Sequence, residues 1–337
     1  MRAVRAEEAV GKKLAYDVVA ITREAGRPLF LRGHVIRPED VEELKRAGHY
    51  VVYVEDEGSR EDLLNENEAS VEAALKISGP GIDVVPRPMG EAYLYAKHDG
   101  MVLVRHRALA VLNSGNIVRV IVRRGGTFVR SRELVGVVAL LPLSVSRAEL
   151  EEELGKVAED LPLVEVREAR RIRMGILVTG TEVVEGKIRD EASQVIAEKA
   201  AAYGATVGRI LYSRDDVNEI SSKILDLLAD HDAVIASGGM SVDPTDVTKD
   251  AIAAVADEVV LYGLPVKPTS MTIVAYRRGK PVVGVSAGIV HHRRRNALDI
   301  LMPWIVTGTK VSRDFLAGLG DGGLSEEFAA EVGGRAH

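Results

Sequence analysis

Asp232–Ile252, DAVIASGGMSVDPTDVTKDAI, is the stretch whose reading decides the fold. An apolar run, Ala233–Ala236, stops at Ser237-Gly238-Gly239. A loop of small residues with Asp243 and Asp246 follows, and a helical pattern begins near Thr245 or Asp246. This pattern predicts strand, glycine turn, helix. Two glycines let backbone N–H groups approach an oxygen-rich ligand, and the helix N-terminus adds partial positive charge. Two carboxylates do not suit bare phosphate, but they suit phosphate carrying Mg²⁺. An ordinary βα turn would explain the local composition equally well, so the neighbouring sequence has to decide.

Outward from this stretch, residues 171–310 alternate regularly between strand and helix patterns. Met174–Val178 reads as a buried parallel strand, Ala192–Ala202 as a helix stopped by Gly204, and Val207–Leu211 as a strand. Asp215-Asp216 opens a helix with an apolar face of Val217, Ile220, Ile224, Leu227 and Leu228. Beyond the opening stretch, Val259–Leu261, Thr272–Tyr276 and Val282–Val285 read as strands and Asn296–Trp304 as a helix. Repeated βα units predict an α/β domain: three layers, α/β/α, around a mostly parallel sheet. Ligands of such sheets bind beyond the carboxyl ends of the strands. That rule gathers Thr179-Gly180-Thr181-Glu182, Asp190, Ser213-Arg214-Asp215-Asp216, Ser237–Thr248 and Ser286 onto one edge.

The remaining sequence offers less chemistry. Residues 1–57 read as a small α+β segment, with a helix opened by Arg37-Pro38-Glu39-Asp40 and stopped at Gly48, then a strand at Tyr50–Val54. His34 and His49 are isolated and read as structural. Residues 58–145 read as a β-rich middle domain, with a helix near Val71–Ser78 and then mostly strands, including a hairpin signal at His98-Asp99-Gly100. Residues 146–170 read as a solvated helical linker, and 311–337 as a tail.

The 337 residues carry a net charge of −6, which argues against a nucleic-acid partner. There is no cysteine, which excludes disulfides and cysteinyl metal sites and fits a reducing cytoplasm. Neither a signal-like apolar core near the start nor a membrane-length apolar run occurs.

TGTEV at 179–183, GKIRD at 186–190, RDD at 214–216 and SGGMSVDPTDVTK at 237–249 together resemble the molybdopterin-binding domain shared by MogA, MoeA and gephyrin. Residues 1–54 and LAGLGDGGL at 316–324 resemble an archaeal and bacterial group in which this domain follows a distinct N-terminal half. The resemblance implies a cytoplasmic protein of molybdenum-cofactor biosynthesis or handling. Its ligand would be molybdopterin or adenylated molybdopterin with Mg²⁺, and ATP or molybdate would be co-substrates if it is an adenylyltransferase or a molybdenumtransferase. It further implies Asp246 and Asp216 as catalytic acids and Asp246, Glu182 and Asp243 as metal ligands. Thr179, Gly180, Glu182, Asp190, Ser237, Gly238, Gly239, Ser241, Thr248, Lys267 and Ser286 would bind the cofactor. A homo-oligomer and a molybdoenzyme partner are expected alongside.

Two departures matter. Where the family has L-P-G-N-P, this chain has Val285-Ser286-Ala287-Gly288-Ile289, which places pterin affinity or turnover in question. His291-His292-Arg293-Arg294-Arg295 follows. Basic residues in a first helical turn oppose the dipole by roughly 0.3–1 kcal/mol each. Either the helix begins later, near Asn296, and leaves them solvated, or they act as an anion clamp. Asp246-Val247-Thr248-Lys249 is also close to the motif of CinA-type nucleotide pyrophosphatases, the rival reading; a non-catalytic binding protein is the third.

Overall fold

The computed structural model describes residues 1–20, 28–55, 62–241 and 243–333. Residues 58–61 of the polar stretch, Val242 and the last four positions lie outside that set. The chain divides into two compact units, Met1–Gly125 with Val129–Arg167, and Gly126–Phe128 with Glu168–His337.

In the first unit Arg2–Arg5 pairs antiparallel with Val51–Val54. The helix Asp40–Arg46 follows its acidic opening and buries Val41 and Leu44. Both histidines are held structurally: His34 Nε2 lies 2.6 Å from Asp40 Oδ2, and His49 Nε2 lies 2.8 Å from the Val19 carbonyl oxygen. The middle region departs from the sequence reading in three places. His106–Asn113 is a helix, with Ala108 and Leu112 buried, inside what reads as a run of strands. Glu91–Ala96 pairs with Ile82–Arg87 and Leu134–Leu140, while Gly100–Val104 lies in another sheet. His98-Asp99-Gly100 is therefore a crossover between sheets and not a hairpin. Asp99 turns outward to accept from the Ser131 N–H at 2.8 Å. The third departure is Arg147–Gly155, a helix packed into the unit rather than a solvated linker. It buries Leu150 and Leu154, and its Glu153 carboxylate accepts three backbone N–H groups, from Asn116, Ile117 and Val118.

The second unit is built on a six-stranded sheet. Its elements are β1 (Arg173–Thr179), α1 (Ala192–Ala202), β2 (Thr206–Ser213), α2 (Val217–Asp230), β3 (Ala233–Ser237), α3 (Thr248–Val255), β4 (Glu258–Tyr262), β5 (Thr272–Arg277), β6 (Lys280–Val285) and α4 (Ala297–Thr307). The order across the sheet is β2-β1-β3-β6-β5-β4. The pairs β1–β2, β1–β3 and β3–β6 are parallel, and β5 alone runs the other way, antiparallel to both β6 and β4. Arg278-Gly279, both at positive φ, make the tight turn that reverses it.

Alternation along the strands sends side chains to two faces, and helices cover both. Met174, Ile176, Val178, Ile235, Val283 and Val285 pack with Val195, Ile196 and Ala200 of α1 and Leu298, Leu301 and Met302 of α4. Leu177, Val234, Ala236 and Val282 pack on the opposite face with Ile220, Ile224 and Leu227 of α2 and Ala251 and Ile252 of α3. Burial on both faces is why β1 and β3 read as continuous apolar runs. The domain is thus a three-layer α/β/α fold with a mostly parallel sheet.

Candidate functional site

Register brings the strand ends abreast. Thr179 pairs with Ser213, Val178 with Ser237, and Ser237 with Val285. The loops after β1, β2, β3 and β6 therefore leave the same edge. The β4–β5 connection reaches that edge too, because Tyr262 pairs with Ile273 and Thr272 with Val285.

Three side-chain contacts lock these loops together. Thr179 Oγ1 lies 2.8 Å from Thr248 Oγ1 and donates to the Ser237 carbonyl at 3.2 Å, joining the ends of β1 and β3 to the start of α3. The Thr181 backbone N–H and hydroxyl both donate to Asp215 Oδ2, at 2.8 and 2.9 Å, joining the loops after β1 and β2. Tyr262 donates its hydroxyl to the Met240 carbonyl at 2.7 Å, pinning the long loop to β4.

The glycines are required by geometry. Gly180, Gly238 and Gly239 have φ of 143°, 107° and 58°. A Cβ on Gly238 would collide with the Thr179 carbonyl oxygen and come within 2.7 Å of its hydroxyl, and one on Gly239 would meet Thr248 Oγ1 at 2.5 Å. Close approach of the β1 and β3 loops, rather than of a ligand alone, thus excludes side chains here. The Gly238 N–H is spent on the Val285 carbonyl at 3.3 Å. The N–H groups of Gly239 and Met240 have no acceptor among the described residues. Ser237 Oγ, at the end of β3, is buried without a partner. Buried polar groups are nearly always paired, so the unpartnered Ser237 hydroxyl beside these two backbone N–H groups makes this strand end the candidate site.

The carboxylates separate into roles that sequence does not distinguish. Asp216 caps α2, accepting from the Glu219 N–H at 2.8 Å. Its neighbour Asp215, absent from the candidate set, is the one that reaches the first loop. Asp190 accepts from the Ser193 N–H and from the Tyr212 hydroxyl, both at 3.0 Å. Burial, and then the Asp190 carboxylate, push the Tyr212 phenol above its ordinary range. Asp246 Oδ2 accepts from the Ser241 N–H at 3.1 Å, and its own N–H donates to the Asp243 carbonyl at 2.9 Å. Asp246 stands before α3, which begins at Thr248, two or three residues later than the sequence pattern suggests. Asp243 and Glu182 are exposed. Among the described residues no three His, Cys, Asp or Glu side chains gather as a metal cage.

Lys267 is exposed on the β4–β5 connection, where its backbone pairs with the tail at Gly323 and Ser325. Ser286 begins the turn Ala287–Val290, and that turn drives Ile289 fully into the core. The segment replacing the family's L-P-G-N-P is thus an anchored turn. The helix after the basic run starts at Ala297, capped by Asn296 with Asp299 in a capping box. This is the later start, with Arg293, Arg294 and Arg295 exposed ahead of it.

An α/β domain that gathers hydroxyls, carboxylates and backbone N–H groups on the carboxyl edge of its sheet is the class that this geometry defines. Residues 175–306 match the family described as a probable molybdopterin binding domain. Residues 3–56 match a separate domain family of unknown function. A molybdopterin molybdenumtransferase of Staphylococcus epidermidis is 29% identical over 128 residues, 36% of this chain and 30% of the relative. One from Staphylococcus aureus is 30% identical over 129 residues, 36% of this chain and 31% of the relative. The match thus spans under a third of these relatives' length. Among solved structures, the molybdopterin biosynthesis enzyme MoaB of Thermus thermophilus is 21% identical, covering 44% of this chain and 97% of that one at a TM-score of 0.36. The molybdopterin biosynthesis Mog protein of Mycobacterium ulcerans is 24% identical, covering 41% and 95% at 0.34. The fold assignment rests on strand order and register.

Proposed function

We propose that the C-terminal domain binds molybdopterin, or its adenylated form, through a phosphate seated at the carboxyl ends of β1 and β3, in the service of molybdenum-cofactor biosynthesis or handling. The observation that supports this best is the set of orphaned donors, the Gly239 and Met240 N–H groups and Ser237 Oγ, beside a loop that the Thr179–Thr248 contact ties to the end of β1. Backbone N–H groups in such a nest suit a phosphate dianion.

Mg²⁺ fits this site in one mode only. A protein cage of three carboxylates is lacking among the described residues. Mg²⁺ is commonly held by one or two carboxylates plus substrate phosphate oxygens, and keeps waters besides. Asp246 would hold it here, with Glu182 or Asp243 second, and when bound the ion neutralises charge on the phosphate. The protein's own part is positioning: Asp246 is set by the Ser241 N–H, Thr248 by Thr179, and the first loop by Asp215. Lys267 and Ser286 stand on flanking loops of the same edge and complete the cofactor contacts in this reading. A homo-oligomer and a molybdoenzyme partner belong to the same reading, as do ATP or molybdate as co-substrates.

Calorimetric titration of molybdopterin with and without Mg²⁺ tests the proposal. Asp246→Asn keeps an oxygen to accept from Ser241 but removes the charge. It is expected to abolish the Mg²⁺-dependent part of the affinity while leaving the urea midpoint unchanged. Undiminished affinity in that variant would reject the assignment. Hydrolysis of ADP-ribose with a divalent metal would favour the pyrophosphatase reading instead.

A further inference from the structure

The basic run His291–Arg295 plays no part in the cradle described above, yet it is held firmly. Its backbone is tied on both sides: Lys199 Nζ donates to the Arg294 carbonyl at 3.0 Å, and Asn296 Nδ2 donates to the His292 carbonyl at 2.8 Å. Lys199 is itself almost fully buried and bonds Asp299 Oδ1 at 2.7 Å. Arg293 is paired with Glu191 at 3.0 Å. Arg294 and Arg295 are exposed and have no acidic partner among the described residues. Leaving two guanidiniums unpaired on an anchored loop, in a chain of net charge −6, calls for a reason.

Opposite this run lies the helix Glu326–Gly333. Between them is a cavity of about 340 Å³, with Pro268 and Val290 on one side and Phe328, Glu327 and Glu331 on the other. His292 Nδ1 is 3.8 Å from Glu331 Oε2, and its ring packs edge-on against Phe328 at 5.7 Å between centroids. No residue of this helix is buried. It is tethered at its start, where the Ser325 N–H donates to the Lys267 carbonyl at 3.1 Å. A helix that buries no side chain opens at little free-energy expense. The cavity sits at the lower end of the roughly 300–1,000 Å³ range of small-molecule sites, which suits a compact anion.

We propose that His291–Arg295 and the acidic helix Glu326–Gly333 enclose a second anion site that takes a diphosphate-type group, with the Glu327 and Glu331 carboxylates that line the same cavity opposing the anion. Arginine forks pair with phosphate oxygens bidentately, and a diphosphate offers oxygens enough for both Arg294 and Arg295. Carboxylates lining the cavity repel an incoming anion, and neutralising them removes that repulsion.

Titration of the full chain with inorganic pyrophosphate at low ionic strength, without divalent metal, tests this. The double variant Arg294→Gln/Arg295→Gln is expected to weaken binding about tenfold or more, the size of one lost charged hydrogen bond or greater, with an unchanged urea midpoint. Glu327→Gln/Glu331→Gln is expected to strengthen binding several-fold. Binding that appears only in the glutamine variants of the tail would also support the proposal. Equal affinity in the arginine variant would overturn it, even if pyrophosphate binds elsewhere on the edge. Unchanged or weaker binding in the tail variant would overturn the repulsion, and absence of binding in every form would overturn the site. None of these outcomes depends on pterin binding, so the two readings fail separately.

Discussion

At the scale of single residues, the neighbouring pair Asp215 and Asp216 shows what sequence conceals. Both are acidic and both follow β2, so a motif comparison selects either; side-chain direction separates them. Asp216 points along α2 as its cap, and Asp215 points across to Thr181. Asp216→Ala should therefore lower stability by about 1 kcal/mol, the usual loss for an N-cap, and leave ligand affinity intact. Asp215→Ala should loosen the first loop and weaken ligand binding with a smaller stability change. Urea denaturation alongside calorimetry separates the two. Gly238→Ala belongs here too, because its Cβ would collide with the Thr179 carbonyl. Strain at such a left-handed position should lower the unfolding free energy by roughly 1–3 kcal/mol, read from the urea midpoint.

At the scale of elements, the C-terminal domain was largely legible and the middle region was not. Strands buried on both faces print as apolar runs, and amphipathic α2 prints its spacing, so β1, β3 and α2 read directly. Parallel alignment then predicted the shared edge without knowledge of any contact. What escaped was whatever depends on long-range pairing. His106–Asn113 has a helical face but lies among strand patterns, and the second partner of Glu91–Ala96, the strand Leu134–Leu140, is about 40 residues distant. The reversal of β5 hangs on Arg278-Gly279, a modest signal. Thr179 and Thr248 illustrate an element-level device: one hydroxyl contact fixes a strand end to a helix start. Thr248→Val should break it, leave Thr179 with a poorer partner, and weaken phosphate binding more than it lowers stability; an equal loss in both would show that the contact serves packing alone.

At the scale of the whole molecule, the two units carry different burdens. The loops, orphaned donors and acids of the candidate site lie in the second unit. The first is organised around structural polar ties, of which Asp17 is the clearest. Burial alone would raise its carboxyl, but N–H groups of Arg32, Met89 and Asn67, at 2.8, 3.0 and 3.1 Å, outweigh that and hold it below the usual carboxylate range. A carboxyl depressed in the folded state stabilises above its unfolded pKa, about 3.9 for Asp, and that contribution is lost as pH falls through the folded value. Asp17→Asn should thus flatten the acid limb of the stability curve in that window, measured by urea titration at successive pH values. A limb of unchanged slope would remove Asp17 from the account.

The claim that joins these scales is that the carboxyl edge of the six-stranded sheet holds a pterin by its phosphate. Protein produced in a molybdopterin-making host, then oxidised and assayed for released pterin fluorescence, tests this most directly. Wild type is expected to carry the fluorescent product and Asp246→Asn, folded to the same degree, to carry little or none. Equal loading of the two proteins, or wild type devoid of pterin, would contradict the account.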